Sequence, residues 1–152
     1  MNQPAGKASS LRINIGHKAP MKRVESMVFV AGHGIEGDHH FTDKPHRQGY
    51  HVLLIEEETL NAVGIEHGVV RENVTTTGID LNSLKSGDLV GLGDNVVLQI
   101  SKACAPCRLM DDIRPGLQEE LQDRRGMLAA VVEGGTVSAG DPVRVMQGQL
   151  VG

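Results

Sequence analysis

The sequence predicts a mainly β protein whose strands close into a barrel, with two or three short helices. Many short segments are rich in Val, Ile, Leu and Thr and are bounded by Gly, Asp or Asn, which is the pattern of short strands joined by turns. The 152 residues include 19 glycines, and the strand segments do not alternate regularly with helical ones, which disfavours a parallel α/β sheet. A closed or nearly closed barrel also removes exposed sheet edges.

The strand segments follow one another along most of the chain. In order they are LRINI, VESMVFVAG, HVLLIEEE, ENVTTTGIDL, DLVGLG, VVLQIS, MLAAVVEGG and TVSAGDPVRVM. The stretches GDN at 93–95 and GG at 134–135 are predicted to be hairpin turns, because glycine accepts positive φ at little steric cost. We therefore expect one domain over 11–146, preceded by a loose polar arm at 1–10 and followed by a tail at 147–152.

Helical signal is limited to two places. EEETLNAVG at 56–64 is long enough for two turns and ends at Gly64, a residue type that commonly ends helices. Residues 107–124 are predicted to hold a short helix, a break at Pro115 and a second helix.

Composition excludes several functional classes. Apolar residues make up 39% and charged residues 22% of the chain, which is ordinary for a globular protein. The net charge of −4 and the scarcity of aromatic residues (two Phe, one Tyr and no Trp) argue against nucleic-acid and anionic-membrane partners. No segment has the length and apolarity of a signal peptide or membrane span. We expect a cytoplasmic protein, in which thiols stay reduced.

The two cysteines occur together in ACAPCR, and the residues alone leave several chemistries open. A zinc clamp that uses both Cys104 and Cys107 needs two more ligands, yet no Cys or His follows Cys107. A dithiol redox pair fits the position between a strand and a helix, but the chain lacks the βαβ surroundings of that fold. Both cysteines could instead be small buried hydrophobic residues.

The remaining interpretation is a single working thiolate. Arg108 and the expected helix start beside Cys107 would favour its deprotonated form. Such a thiolate can ligate a soft or high-valent metal centre, or it can carry sulfur as a persulfide.

Further polar stretches are candidates for a binding site. GIEGDHHF at 34–41 brings acidic and imidazole side chains out of a tight turn, and HRQ and REN place arginines beside amides, a combination suited to phosphate or carboxylate. Turn hydrogen bonds and solvated charges are the alternative interpretation. The candidates from these stretches and from around the cysteines are Asp38, His40, Arg47, Arg71, Asn73, Arg108 and Arg125.

Six blocks, taken in order, resemble the MOSC domain family, named for the C-terminal domain of molybdenum-cofactor sulfurase. They are GIEGDHH, HRQ, RENVTTTGIDLNSLKSGDLVGLG, VVLQISKACAPC, RRGM and GGTVSAGDPVRV. The resemblance covers about residues 11–146. The chain looks like a small stand-alone member of the family, of the bacterial type. It implies a β-barrel of the pyruvate-kinase barrel-domain type.

The resemblance also implies a cofactor and a site. Cys107 matches the family's reactive cysteine, which in molybdenum-bearing relatives is implied to ligate molybdenum. Asp38 and His40 match the GDxH turn, and Arg71 and Asn73 match the REN block. Arginines near the site would be suited to the pterin phosphate of the molybdenum cofactor. The family usually continues RQV into the next strand, whereas this chain has RQGYHV.

The implied functions are cofactor or sulfur handling, or service as the molybdenum subunit of a reductase for N-hydroxylated compounds. If the protein is an enzyme, the resemblance is compatible with two classes, a molybdenum-dependent oxidoreductase and a sulfur transferase. The implied partners are a cofactor-maturation or sulfur-donor protein, or an electron-donor protein. Pyridoxal phosphate is not expected, because the aminotransferase-like domain of the sulfurases has no counterpart in these residues. The alternatives are a persulfide carrier without molybdenum and a zinc-binding adaptor that uses both cysteines.

Overall fold

The computed structural model of the chain describes residues 6–43 and 50–146. The strands are β1 (Gly6–Ile13), β2 (Lys22–Val24), β3 (Ser26–Val30), β4 (Gly34–Ile35), β5 (Val52–Glu56), β6 (Val74–Thr77), β7 (Leu89–Leu92), β8 (Val96–Ala103), β9 (Met127–Glu133), β10 (Gly135–Ser138) and β11 (Pro142–Met146). The helices are α1 (Glu57–Val63), α2 (Leu109–Ile113) and α3 (Leu117–Glu120).

Seven strands form a closed barrel. Their order around the ring is β11–β7–β8–β9–β5–β6–β1, and β1 pairs again with β11 through Gly6 opposite Val143 and Lys7 opposite Pro142. Neighbours are antiparallel except β5 and β6, which run parallel, and β2 pairs with β1 outside the ring. The mainly β barrel predicted from the sequence is confirmed.

Alternating side chains fill the barrel. In β9, for example, Met127, Ala129 and Val131 are buried while the residues between them are partly exposed. The main core cluster includes Leu11, Phe29, Leu54, Val74 and Leu98, and a second cluster packs the helices on the outside of β5 through Ile55, Leu60, Val63, Val70, Met110, Leu117 and Leu121. Burying large aliphatic side chains contributes roughly 1.5–3 kcal/mol each relative to exposure.

The first strand begins earlier than the sequence predicted. Residues 6–10 belong to β1 and pair with β11 and β6, so only 1–5 of the expected arm, like the tail at 147–152, lies outside the described residues. The segment Gly-Lys-Ala-Ser-Ser lacks large apolar residues, but Ala8 and Ser10 are small and buried. Gly6 is required for close approach, because a Cβ there would lie 2.1 Å from the carbonyl oxygen of Thr77.

The two predicted hairpin turns have different outcomes. GDN at 93–95 connects β7 to its antiparallel neighbour β8, as predicted. The prediction at 134–135 is wrong, because β9 pairs with β5 and β8, whereas β10 pairs with β3 in a separate three-stranded sheet β10–β3–β4. Gly134 instead allows the chain to pass close to the backbone of β3, since a Cβ there would lie 2.5 Å from the carbonyl oxygen of Phe29.

The helices agree with the sequence pattern. Helix α1 ends at Gly64, which adopts φ 74° and whose N–H bonds back to the helix. Helices α2 and α3 are separated at Pro115, where the proline ring cannot continue the first helix. No helix in 6–43 or 50–146 has the length and apolar character needed to cross a membrane.

Candidate functional site

A cleft of about 440 Å³ opens beside the loops that follow β1 and β4 and beside Tyr50 and His51, just before β5. Basic side chains dominate its wall, namely His17, His39, His40, His51, Arg71 and Arg125. None of the described residues that line the cleft is a carboxylate. In a chain with net charge −4, this concentration of basic groups favours an anionic ligand.

Asp38 supports the cleft from behind. Its side chain is buried, and Oδ1 accepts hydrogen bonds from the Asn14 N–H (2.6 Å) and from Asn73 Nδ2 (3.0 Å). Oδ2 accepts one from the His40 N–H (2.9 Å). Asp38 is therefore a structural anchor that does not line the cleft, whereas its neighbour His40 does.

Asn73 ties three segments together. Its Oδ1 accepts the Leu53 N–H at 3.0 Å, and its Nδ2 donates to the Arg12 carbonyl at 3.1 Å as well as to Asp38. Because these bonds join β5, β1 and the 34–41 turn, Asn73 fixes the shape of the cleft wall that it helps to form.

Arg71 holds the loop after β1. It adopts φ 67°, unusual for a residue other than glycine. Its Nη1 donates to the Ala19 carbonyl (2.9 Å), and its Nη2 donates to Asn14 Oδ1 (3.1 Å) and the Gly16 carbonyl (3.1 Å). Both terminal nitrogens are thus engaged in positioning the loop at one side of the cleft.

Arg125 differs from Arg71 in having an unused donor. The side chain is buried, with 8% of the residue exposed, and Nη2 donates to the Val70 carbonyl at 2.8 Å. Nη1 is also buried but finds no hydrogen-bond partner among the described residues. A buried guanidinium nitrogen without a partner costs free energy, so Nη1 is a candidate donor for an acceptor on a ligand.

Gly126 allows the backbone to carry Arg125 into this position. It adopts φ +114°, and a Cβ would lie 2.4 Å from the carbonyl oxygen of Leu54. The segment therefore passes directly against β5 before β9 begins.

The cysteine loop starts next to this segment but does not enter the cleft. The Cys104 N–H donates to the Gly126 carbonyl at 2.8 Å, which places the beginning of the loop beside Arg125. Both thiols are free; Cys104 is half-buried and Cys107 is exposed, and neither lines the cleft. Arg108 is exposed at the N-cap of α2.

Protein ligands for a closed metal site do not converge in the described ranges. No group of three or more His, Cys, Asp or Glu side chains in 6–43 and 50–146 is placed to hold a metal ion. A zinc clamp on both cysteines would need two further ligands, which these residues do not supply. Arg47, a candidate from the sequence, lies outside the described residues.

The structure adds cleft residues that were not among the named site candidates. Asn14 and His17 follow β1, His39 precedes His40, and His51 lies just before β5. The pair His39–His40 is the one visible signal, because adjacent side chains after a tight turn can both reach a site. Nothing in the local sequence of His51 distinguishes it from a core residue.

The contact between Asp38 and His40 shifts the pKa of both groups. Burial alone would raise the pKa of Asp38, but hydrogen bonds from His40 and Asn14 outweigh it and leave this pKa below its ordinary value. The hydrogen bond to Asp38 raises the pKa of His40, against the opposing effect of burial. His40 Nδ1 lies 3.3 Å from Asp38 Oδ2, and the imidazole is 55% exposed.

We expect the ring signals of His40 to titrate above the unperturbed value of about 6.5 in an NMR pH series. Because its pKa is raised on folding, the contact contributes stability that is fully present below that value and lost as pH rises through the folded-state pKa. The lowered pKa of Asp38 contributes stability above the unfolded value of about 3.9 that is lost as pH falls through the folded one. In Asp38→Asn the His40 midpoint should move down, and an unchanged midpoint would contradict the assignment.

Taken together, the fold and the site define a small β-barrel protein with a basic cleft beside a cysteine loop. The family model of the MOSC domain matches residues 36–144. Because this match covers well over half of the 152 residues, the chain belongs to the MOSC domain family.

Several solved structures share the fold of this chain. The YuaD protein from Bacillus subtilis superposes with a TM-score of 0.78 at 22% identity, over 95% of this chain and 98% of that one. YiiM from Escherichia coli gives 0.69 at 17% identity, over 96% and 71% of the two chains. YiiM from Geobacillus stearothermophilus gives 0.69 at 15% identity, over 93% and 75%. At these identities the likeness shows the fold alone. No curated protein matches the chain significantly.

Proposed function

We propose that this MOSC protein binds the molybdenum cofactor in the basic cleft, with Arg125 holding the pterin phosphate. The observation that carries the proposal is the buried Nη1 of Arg125, which has no partner among the described residues. A phosphate oxygen is a strong acceptor for a guanidinium group. It would satisfy this nitrogen while Nη2 keeps its bond to the Val70 carbonyl.

The rest of the cleft also fits an anionic organic ligand. Its volume of about 440 Å³ lies within the range of small-molecule sites, roughly 300–1,000 Å³. Leu53, Val70 and Leu128 supply apolar wall, and Asn73 supplies a fixed amide. The histidines at the mouth, His17, His39 and His40, offer further donors for phosphate or pterin oxygens.

The metal ligand in this proposal is the thiolate of Cys107. Its loop begins beside Arg125 through the bond between the Cys104 N–H and the Gly126 carbonyl. Cys107 is exposed, so no packing has to be broken for its sulfur to reach a metal at the cleft mouth. Cys104 is half-buried, and its backbone N–H holds the start of the loop against Gly126.

When bound, the cofactor would supply two-electron redox chemistry, for which reduction of N-hydroxylated compounds with electrons from a donor protein is the proposed use. The chain itself would bind the phosphate, orient the pterin against the apolar wall and provide one thiolate. Asp38 and Asn73 would keep the wall in place through their buried hydrogen bonds.

The test is metal content after expression in a host that makes the cofactor, with purification in the absence of oxygen. We expect molybdenum in the native protein and in Cys104→Ala, and its loss in Cys107→Ala. Arg125→Gln should weaken retention about tenfold or more, since a hydrogen bond to a charged group contributes about 1.5–3 kcal/mol. Arg124→Gln is the matched control, because the Arg124 Nε bonds to the Glu120 carbonyl, away from the cleft.

Other outcomes would redirect the assignment. Absence of molybdenum from the native protein, or equal loss in both cysteine variants, would contradict the proposal. Zinc near one atom per chain, lost in both variants, would instead favour the zinc-binding adaptor.

The exposure of Cys107 favours a second candidate, a persulfide carrier. Its thiolate would attack the outer sulfur of a persulfide on a donor protein. A new S–S bond would form on Cys107 as the donor's S–S bond breaks, and the donor would leave as a thiolate. Intact mass after incubation with a persulfide donor should show one added sulfur atom in the native chain and Cys104→Ala, and none in Cys107→Ala. The absence of any adduct would remove this candidate.

A further inference from the structure

A second depression, here called the arginine groove, lies on the other side of Arg71 from the cleft. It encloses about 330 Å³, and its wall includes Arg12, His67 and Arg71 together with the apolar surfaces of Pro20, Met21 and Val69. Arg71 lines both sites. Because its terminal nitrogens bond to the 14–19 loop, it acts as a wall between them.

The strand register places a second arginine, which does not itself line the groove, opposite Arg12. Arg12 in β1 and Arg23 in β2 are directly opposite partners of an antiparallel pair. Such partners point to the same face of the sheet, and like charges in these positions are destabilising. This register therefore places two positively charged side chains on the same face of the sheet, where nothing in the strand pairing itself requires positive charge.

Burial makes the juxtaposition more costly. Burial lowers the pKa of Arg12, attraction by the buried carboxylate of Glu72 partly offsets this, and repulsion by Arg23 adds to the lowering. Glu72 compensates only one charge, and its Oε2 already accepts the Gly68 N–H at 2.6 Å. Glu66, also on the groove wall, is exposed to solvent.

Both arginine side chains have N–H donors that are not used in hydrogen bonds among the described residues. Arg12 Nη1 donates to Ser10 Oγ at 2.7 Å, which leaves its other nitrogens available. The Arg23 side chain makes no hydrogen bond or ion pair within the described ranges. His67, by contrast, is occupied, with Nδ1 3.2 Å from Ser10 Oγ and Nε2 3.4 Å from Glu57. The free donors are thus the guanidinium groups of Arg12 on the groove wall and of Arg23 on the neighbouring strand.

We propose that a small phosphate-bearing molecule binds in the arginine groove, and that its phosphate lies at the edge of the groove and bridges Arg12 on the wall and Arg23 on the neighbouring strand β2. A dianionic phosphate would convert the repulsion between the two cations into two charge-assisted interactions. The organic part of the ligand would lie against Pro20, Met21 and Val69. The groove is separate from the cleft, so this proposal does not depend on a bound cofactor.

Inorganic phosphate is the probe, titrated against a chloride control of equal ionic strength and followed by amide NMR. We expect shifts at residues 21–23 and 66–69, because these segments border the groove. Arg23→Gln and Arg12→Gln should each weaken this binding about tenfold, the effect of losing one hydrogen bond to a charged group. Arg23 is exposed, so its substitution leaves the barrel folded.

The controls separate this site from the cleft and from general charge effects. Lys85→Gln removes the same charge at an exposed position and should leave the affinity unchanged. Arg125→Gln should abolish shifts around Gly126 while those at 66–69 persist. Shifts confined to the neighbourhood of Gly126, or equal weakening by Arg23→Gln and Lys85→Gln, would overturn the proposal.

Discussion

Replacing Asp38 by Ala is expected to lower the free energy of unfolding by about 3 kcal/mol. The carboxylate accepts hydrogen bonds from the Asn14 N–H, the Asn73 amide and the His40 N–H. Its removal leaves buried donors on Asn14 and Asn73 without an acceptor, and each such group costs about 1–3 kcal/mol. A cavity where the carboxylate stood adds to the loss.

Urea unfolding monitored by circular dichroism measures this change. Asp38→Asn should lose less, because its amide oxygen still accepts from Asn14 and Asn73 while its NH₂ group faces the His40 N–H. Asp94→Ala is the control, since Asp94 is exposed in the 93–95 turn. A loss below about 1 kcal/mol in Asp38→Ala, within the range of ordinary surface changes, would show that the anchor role is wrong.

Gly126→Ala is expected to be at least as damaging, with a loss of about 3 kcal/mol or more. The new Cβ would lie 2.4 Å from the carbonyl oxygen of Leu54, and both groups are held by strands on either side. Backbone strain at φ +114° adds to the clash. The segment must move away from β5, and Arg125 and the start of the cysteine loop move with it.

Gly87→Ala is the control that separates backbone strain from the steric clash expected in Gly126→Ala. Gly87 also has positive φ (+95°), but a Cβ there meets nothing within 4 Å, so only about 1–2 kcal/mol of backbone strain is expected. Equal unfolding free energies for Gly87→Ala and Gly126→Ala would mean that contact with Leu54 is unimportant. If Gly126→Ala folds at low temperature, it should also lose the ligand retention that Arg125→Gln loses.

The barrel was predictable because its signals are local. Short apolar runs bounded by turn residues mark β7, β8 and the 93–95 hairpin, and Gly64 marks the end of α1. The errors at 6–10 and 134–135 share a cause that is not local. Gly6 and Gly134 are needed for close approach to the backbones of Thr77 and Phe29, which are distant in sequence.

The candidate site was predictable in its residue types but not in their roles. Arg71 and Asn73 line the cleft, and the structure shows that most of their polar atoms hold loops and strands in place. Arg125 stood out only as one of several arginines near the cysteines. Its unpartnered Nη1 depends on the packing of Val70 and Gly126 around it, which no pattern in the sequence expresses. The position of Cys107 outside the cleft is likewise a tertiary property.

Closure of the barrel through β1 and β11 has a consequence for synthesis on the ribosome. Gly6 and Lys7 pair with Val143 and Pro142. The ring therefore stays open until nearly all of the described chain has emerged from the ribosome. Pairing over such a separation makes folding slower than in proteins with local contacts. During that interval β1 and β7 keep free edges that can pair with a second nascent chain. Conditions that slow elongation near the last strand should therefore increase aggregation of this protein more than conditions that slow elongation near the first.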